Sequence, residues 1–260
     1  MENKHVLIEV TDSIGWLTVN RPDSLNALNS EVVAALESAL RNLEQDAAVK
    51  VVVLTGAGEK AFVAGGDIKE MADMGPLQAK AYARKGQQMV AYIEKMRKPV
   101  IAAVNGYALG GGLELALACD FIYASEKAKL GLPEVTLGVM PGFGGTQNLP
   151  RLVGPNKAKE LIFSGKALTA QQAKEWGLVN EVFPAEELRV KVTEIAQAIA
   201  RNGMVGVASA KEAVVNGLNM SKEDGLRYES SLFANLFATE DQKEGMQAFV
   251  AKRKAEFKGK

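Results

Sequence analysis

Two carboxylates stand in sequence that is otherwise apolar. Glu114 lies in GGGLELALACD, residues 110–120, with Leu113, Leu115, Ala116, Leu117 and Ala118 around it. Glu134 follows Pro133 in LGLPEVTLGVMPGFGGTQ, residues 130–147, a stretch punctuated by glycines. Burying an unpaired carboxylate is costly, or else its pKa rises until it is neutral. Two carboxylates around one water can divide general acid and general base work when their surroundings push their pKa values apart. A plainer reading stands beside this one. Glu114 can be a structural carboxylate bonded to nearby backbone, and Glu134 a surface loop residue. Position alone leaves both readings open.

Glycines flank these residues. Gly110, Gly111 and Gly112 directly precede the segment holding Glu114. The first N–H groups of a helix have no intrahelical partner, and glycine lets a ligand oxygen approach them without a Cβ in the way. A second glycine turn, Ala64-Gly65-Gly66 in AFVAGGDIKEM, follows an apolar strand and precedes Asp67. N–H donors from two such loops make an oxyanion hole for a carbonyl that becomes enolate-like. Close packing of helix on strand, with Asp67 as a helix cap, is the structural alternative. The spacing of a phosphate-binding P-loop is absent.

The elements that must position these groups alternate. His5–Val10 and Ile14–Val19 read as a hairpin, and Ser30 as the cap of a helix running to Glu44. Lys50–Leu54, Pro99–Val104 and Asp120–Ala124 read as strands; Gln78–Met96 and Gly110–Ala118 read as helices. Strands alternating with helices predict an α/β core with parallel strands. Beyond residue 150 the pattern turns helical, over 155–164, 170–176, 185–202, 204–217, 222–237 and 240–256.

Composition narrows the chemistry. The 260 residues carry 31 Lys+Arg against 31 Asp+Glu, so bulk charge gives no pull toward nucleic acid or an anionic membrane. One cysteine, Cys119, and one histidine, His5, leave no intrachain disulfide and little for a histidine-based triad or metal site. Acid–base work falls to carboxylates, Lys or Tyr. The start MENKHVLIEV lacks a signal-peptide apolar core, and no apolar run is long enough to span a bilayer, so a soluble cytoplasmic protein is expected.

The segments AFVAGGDIKEM, KPVIAAVNGYALGGGLELALACD, GLPEVTLGVMPGFGGTQ and GMQAFVAKRKAEF occur in that order. Together with NRPDSLNALN near the start, they resemble the crotonase superfamily, and within it the enoyl-CoA hydratases. The likeness runs over essentially the whole chain.

The resemblance implies an α/β fold, a crotonase-like spiral of ββα units over residues 1–195. A helical region over 196–260 would serve trimerisation, with trimers pairing into hexamers. It implies an oxyanion hole from the N–H groups of Gly66 and Gly111, holding the thioester carbonyl of an acyl-CoA. Glu114 and Glu134 match the two catalytic glutamates of hydratases, which add water syn across the C2=C3 bond of a trans-2-enoyl-CoA. Glu114 would activate the water and Glu134 would give the proton to C2. Gly142 would help orient the water or the acyl chain. The CoA moiety would lie along Ser24, Leu25 and Ala27 and along Ala64, Gly65, Asp67, Ile68 and Lys69. Phe249 and Lys252 match positions that reach a neighbouring subunit's CoA. The implied cofactor set is empty, since CoA belongs to the substrate, and nucleic acid and membrane are not implied partners.

Two positions depart from the family pattern. Gly66 stands where alanine is frequent, and Asn148 stands where arginine is usual. A branched-chain hydratase of the methylglutaconyl-CoA type keeps both glutamates and stays open. Isomerases of the superfamily usually lack one of them. A non-catalytic RNA-associating homologue is the rival of another class, and the balanced charge speaks against it.

Overall fold

The computed structural model describes residues 4–260; residues 1–3, at the start of the expected spiral unit, lie outside the described part. The hairpin forms from β1 (Val6–Thr11) and β2 (Ile14–Val19), antiparallel, with Thr11 facing Ile14. Asp12 and Ser13 close it at φ of 51° and 66°, a region that short polar side chains enter more readily than most. α1 (Ser30–Gln45) is capped by Asn29, whose side chain accepts from Val32 N, so the cap falls one residue before Ser30. Its apolar stripe of Val33, Leu36, Leu40 and Leu43 is buried.

The chain then runs β3 (Val51–Gly56), β4 (Ala61–Val63), α2 (Ile68–Met71) and α3 (Pro76–Lys95). β5 (Val100–Val104), β6 (Tyr107–Leu109) and α4 (Gly111–Leu117) follow, then β7 (Phe121–Ser125), β8 (Lys129–Gly131) and α5 (Gly145–Val153). Each passage places one strand in a large sheet, one short strand in a small sheet, and then a helix. The large sheet has six strands in the order β1-β2-β3-β5-β7-β10, and the small sheet four, β4-β6-β8-β9. This is the expected spiral of ββα units. α6 (Pro155–Ser164), β9 (Ala167–Thr169), α7 (Ala170–Glu175) and β10 (Glu181–Phe183) complete both sheets. Strands β2, β3, β5, β7 and β10 of the large sheet pair in parallel, each with the next.

Parallel strands are covered on both faces, and the sequence of β3 meets that demand. Val51 and Val53 point to one side, with Ile101 and Ala103 of β5, and α8 (Leu188–Ala200) covers them through Leu188, Val192 and Ala196. Val52 and Leu54 face the main core, packed among residues of α1 and α3. The helical end of the chain comprises α9 (Met204–Gly217), α10 (Lys222–Leu236) and α11 (Glu240–Val250). α11 stops at Val250, six residues before the expected end at 256. Lys211 of α9 fixes this region to the core. Its Nζ lies 2.9 Å from Asp120 Oδ2 and also donates to the carbonyl of Ile93. Among the described residues no helix is long and apolar enough to cross a membrane.

Candidate active site

The small sheet explains why residues far apart in sequence meet. β4 pairs with β6 and β6 with β8, both in parallel, so their C-terminal ends share one edge. Gly65 and Gly66 follow β4, Gly110 and Gly111 follow β6, and Glu134 follows β8. Parallel neighbours lie about 4.8 Å apart, so the three connections must converge. They open into a cleft of about 650 Å³ lined by Gly66, Gly111, Glu114 and Glu134, with Met71, Met74 and Leu137 among its apolar walls.

The three glycines have separate reasons. Gly110 sits at φ 51°, ψ −127°, a conformation closed to most side chains, and its N–H is bound to Gly131 O at 2.9 Å. Gly112 packs on β4, where a Cβ would lie 1.9 Å from the Val63 carbonyl oxygen. Gly111 is the first residue of α4, and its N–H has no acceptor among the described residues. The same holds for Gly66. A Cβ placed on Gly111 would stand 3.8 Å from Gly66 N, so the two donors border one space.

Glu114 is 2% exposed. Its Oε1 accepts from Phe143 N at 2.8 Å and Gly145 N at 2.7 Å. Burial raises its pKa above the ordinary carboxylate value, and the backbone N–H groups of Gly145, Phe143, Gly142 and Gly144 offset that rise in part. These donors favour the ionised form. Glu134 begins a 3-10 turn over Glu134–Leu137, where a plain loop was expected. Its Oε2 is buried without a hydrogen-bond partner. Burial pushes its carboxyl up to about 7; its own N–H opposes this and the charge of Glu114 adds to it. A Cβ on Gly110 would lie 3.1 Å from Glu134 Oε1, so this carboxyl stands directly over the glycine turn. Glu114 is held by the N–H groups of four residues and Glu134 only by its own, which separates their acidities.

The remaining expected residues divide. Leu25 and Leu28 run beside the second glycine turn, with Ala64 N bound to Leu25 O at 3.0 Å and Leu28 N bound to Gly65 O at 2.8 Å. Ser24 and Ala27 belong to that segment, bridged by an Ala27 N to Ser24 O bond of 3.0 Å. Ala64, Ile68 and Gly142 line the cleft. The Asp67 carboxylate is taken by Arg21 at 3.2 Å and by Lys69 N at 3.2 Å. The Lys69 side chain is exposed and lies outside the cleft lining. Phe249, 85% exposed, and Lys252 sit at the end of α11, also outside the lining. Asn148 donates to Glu94 Oε1 at 2.7 Å.

Sequence reasoning missed Tyr82 and Phe143, whose rings pair 5.2 Å apart beside the two donors. Tyr82 falls on the buried stripe of α3 with Gly86, Met89 and Ile93, which reads as ordinary helix core. Phe143 sat unremarked among glycines.

Fold and cleft together define a crotonase-type α/β protein with paired carboxylates and two glycine turns at one sheet edge. The Enoyl-CoA hydratase/isomerase family model matches residues 9–260, and the chain belongs to that family. It is 44% identical to a crotonyl-CoA hydratase of Syntrophomonas wolfei, over 99% of each chain. It is 45% identical to a short-chain-enoyl-CoA hydratase of Clostridium acetobutylicum, over 98% of each. The crystal structure of an enoyl-CoA hydratase from Bacillus anthracis superposes with a TM-score of 0.95 at 44% identity, covering 98% of this chain and 100% of that one.

Proposed function

We propose that the protein hydrates trans-2-enoyl-CoA thioesters to 3-hydroxyacyl-CoA. One observation carries this reading. Glu114, Glu134 and the unpaired N–H groups of Gly66 and Gly111 border a single, largely apolar cleft.

An α,β-unsaturated thioester needs its carbonyl polarised before C3 accepts an oxygen. In this reading Gly66 and Gly111 donate to the thioester oxygen and stabilise the charge that develops there. Glu114 takes a proton from water as the water oxygen bonds to C3. The C2=C3 electron pair moves toward the carbonyl, and Glu134 gives its proton to C2. Both carboxyl groups act on the same face, which makes the addition syn. Electrons balance without an oxidant or reductant, because hydration is redox-neutral. Two carboxylates, rather than one, favour hydration over double-bond migration.

CoA would run along Asp23–Leu28 and Ala64–Lys69. Exposed apolar residues at the helical end of the chain (Val214, Leu218, Phe233, Phe249 and Val250) support self-association, which the family resemblance makes a homotrimer or a dimer of trimers. In such an assembly Phe249 and Lys252 would reach a neighbouring subunit's CoA. A cytoplasmic location belongs to the same reading.

The names of the relatives make the four-carbon crotonyl-CoA the first substrate to try. Turnover across trans-2-enoyl-CoAs from C4 to C16, with a 3-enoyl-CoA beside them, tests the assignment. Hydration of the 2-enoyl series is expected. Migration of the 3-enoyl double bond without hydration of any 2-enoyl substrate would overturn it.

A further inference from the structure

Gly66 is held from both sides. Leu28 N donates to Gly65 O at 2.8 Å, and Asp67 N donates to Leu28 O at 2.8 Å. This is a parallel bridge between Leu28 and Gly66. In such a bridge the middle residue turns its own N–H away from the partner strand, and Gly66 lines the cleft. The aim of the Gly66 N–H is therefore set by where the Leu28 carbonyl sits.

That carbonyl has a second donor. Tyr82 OH, on α3, reaches Leu28 O at 3.0 Å. Tyr82 is 8% exposed, and burial holds its phenol well above the ordinary value, so it stays a neutral donor. Its ring is fixed in turn. It pairs with Phe143, and Phe143 packs so closely on Gly86 that a Cβ there would come within 2.2 Å of the Phe143 ring. A Cβ on Gly66 would lie 3.2 Å from the Tyr82 oxygen, so the hydroxyl stands beside the donor it governs.

We propose that Tyr82 is a positioning residue for the oxyanion hole: through Leu28 its hydroxyl aims the Gly66 N–H at the thioester oxygen. The inference rests on the oxyanion-hole reading above. Because Tyr82 donates to backbone, its effect falls on polarisation of the bound carbonyl and leaves recognition of CoA in place.

The test uses the intact protein and butyryl-CoA labelled with ¹³C at the carbonyl, a saturated ester that cannot be hydrated. Isotope-edited infrared difference spectra report how strongly the bound thioester carbonyl is polarised. In the wild type the stretch is expected to move to lower frequency on binding; absence of that movement overturns the hole itself. In Tyr82→Phe the band is expected to return part of the way toward that of the free ester. For crotonyl-CoA hydration, kcat is expected to fall about tenfold with KM within about twofold, less than the loss of a whole donor. A wild-type shift that Tyr82→Phe reproduces in full, with unchanged kcat, overturns the role of Tyr82 and leaves the hole standing. Tyr82→Phe keeps the ring, so it is expected to fold. Should it not, Tyr82→Met also removes the hydroxyl, fills the space with a flexible apolar chain, and is read by the same spectrum.

Discussion

Glu114 Oε1 is bound to Gly145 N at 2.7 Å, across 31 residues of sequence. The bond joins the helix after β6 to the start of α5, and the neighbouring Phe143 N–H adds a second donor at 2.8 Å. A carboxylate with almost no exposure is thereby given the hydrogen bonds that an ionised form requires. Gly145 is fitted to this task, since a Cβ on it would lie 3.0 Å from Glu114 Oε1 and 3.1 Å from its Cγ.

Gly145→Ala is therefore expected to displace the Glu114 carboxylate while leaving the sheet edge intact. Hydration of crotonyl-CoA should lose about tenfold or more in kcat, and stability about 1–3 kcal/mol from overpacking. Steady-state kinetics and thermal unfolding of the purified variant measure both. Wild-type kcat in this variant would mean that the position of Glu114 is not critical.

Activity should follow the proton on Glu134. Its carboxyl is pushed up to about 7 by burial, so it holds a proton below that pH and loses it above. In the proposed mechanism, hydration needs Glu134 protonated and Glu114 ionised. Dehydration needs the reverse arrangement of the same single proton, so both directions share one profile. The value of kcat/KM is expected to fall on the alkaline side, about tenfold per pH unit, from an apparent pKa near 7. A profile flat to about pH 9 contradicts the assignment of Glu134 as the acid.

Stability carries a parallel trace of the same group. The folded carboxyl of Glu134 keeps its proton to about 7, whereas the ordinary value is 4.5. The contribution of this proton to stability is fully present below 4.5 and is lost as pH rises through about 7. Glu134→Gln has no such loss. Between about pH 5 and pH 8 the wild-type melting temperature should fall relative to that of the variant. Parallel curves would mean that Glu134 titrates as an ordinary surface carboxyl.

Much of this arrangement was legible in the residues, and the limits have physical causes. The hairpin, α1, α4 and the large-sheet strands β3, β5 and β7 carry runs long enough for periodicity to speak. Glu114 and Glu134 stood out because charge in apolar sequence demands a reason. The small sheet did not show itself as a sheet. β6, β8 and β9 are three residues each, too short for any pattern, and they exist because they pair with one another. α5 begins at Gly145 and contains Pro150, both signals that ordinarily mark a loop. Asn29 and Ser30 are both cap-forming types in adjacent positions, and only the Asn29 bond to Val32 N decides between them. The N–H partners of Glu114 lie about thirty residues away, and Tyr82 hides in a core stripe, so tertiary packing alone reveals them.

In the proposed mechanism two carboxylates share one water at the edge of the small sheet. Its most direct test is crotonyl-CoA hydration by the wild type, Glu114→Gln and Glu134→Gln, followed as loss of the conjugated thioester absorbance. Binding of butyryl-CoA is measured beside it. The wild type is expected to turn over. Each variant is expected to lose about 10²–10⁴ in kcat, the usual worth of a general acid or base, with butyryl-CoA affinity largely kept. Near-wild-type turnover in both variants would contradict the two-carboxylate mechanism.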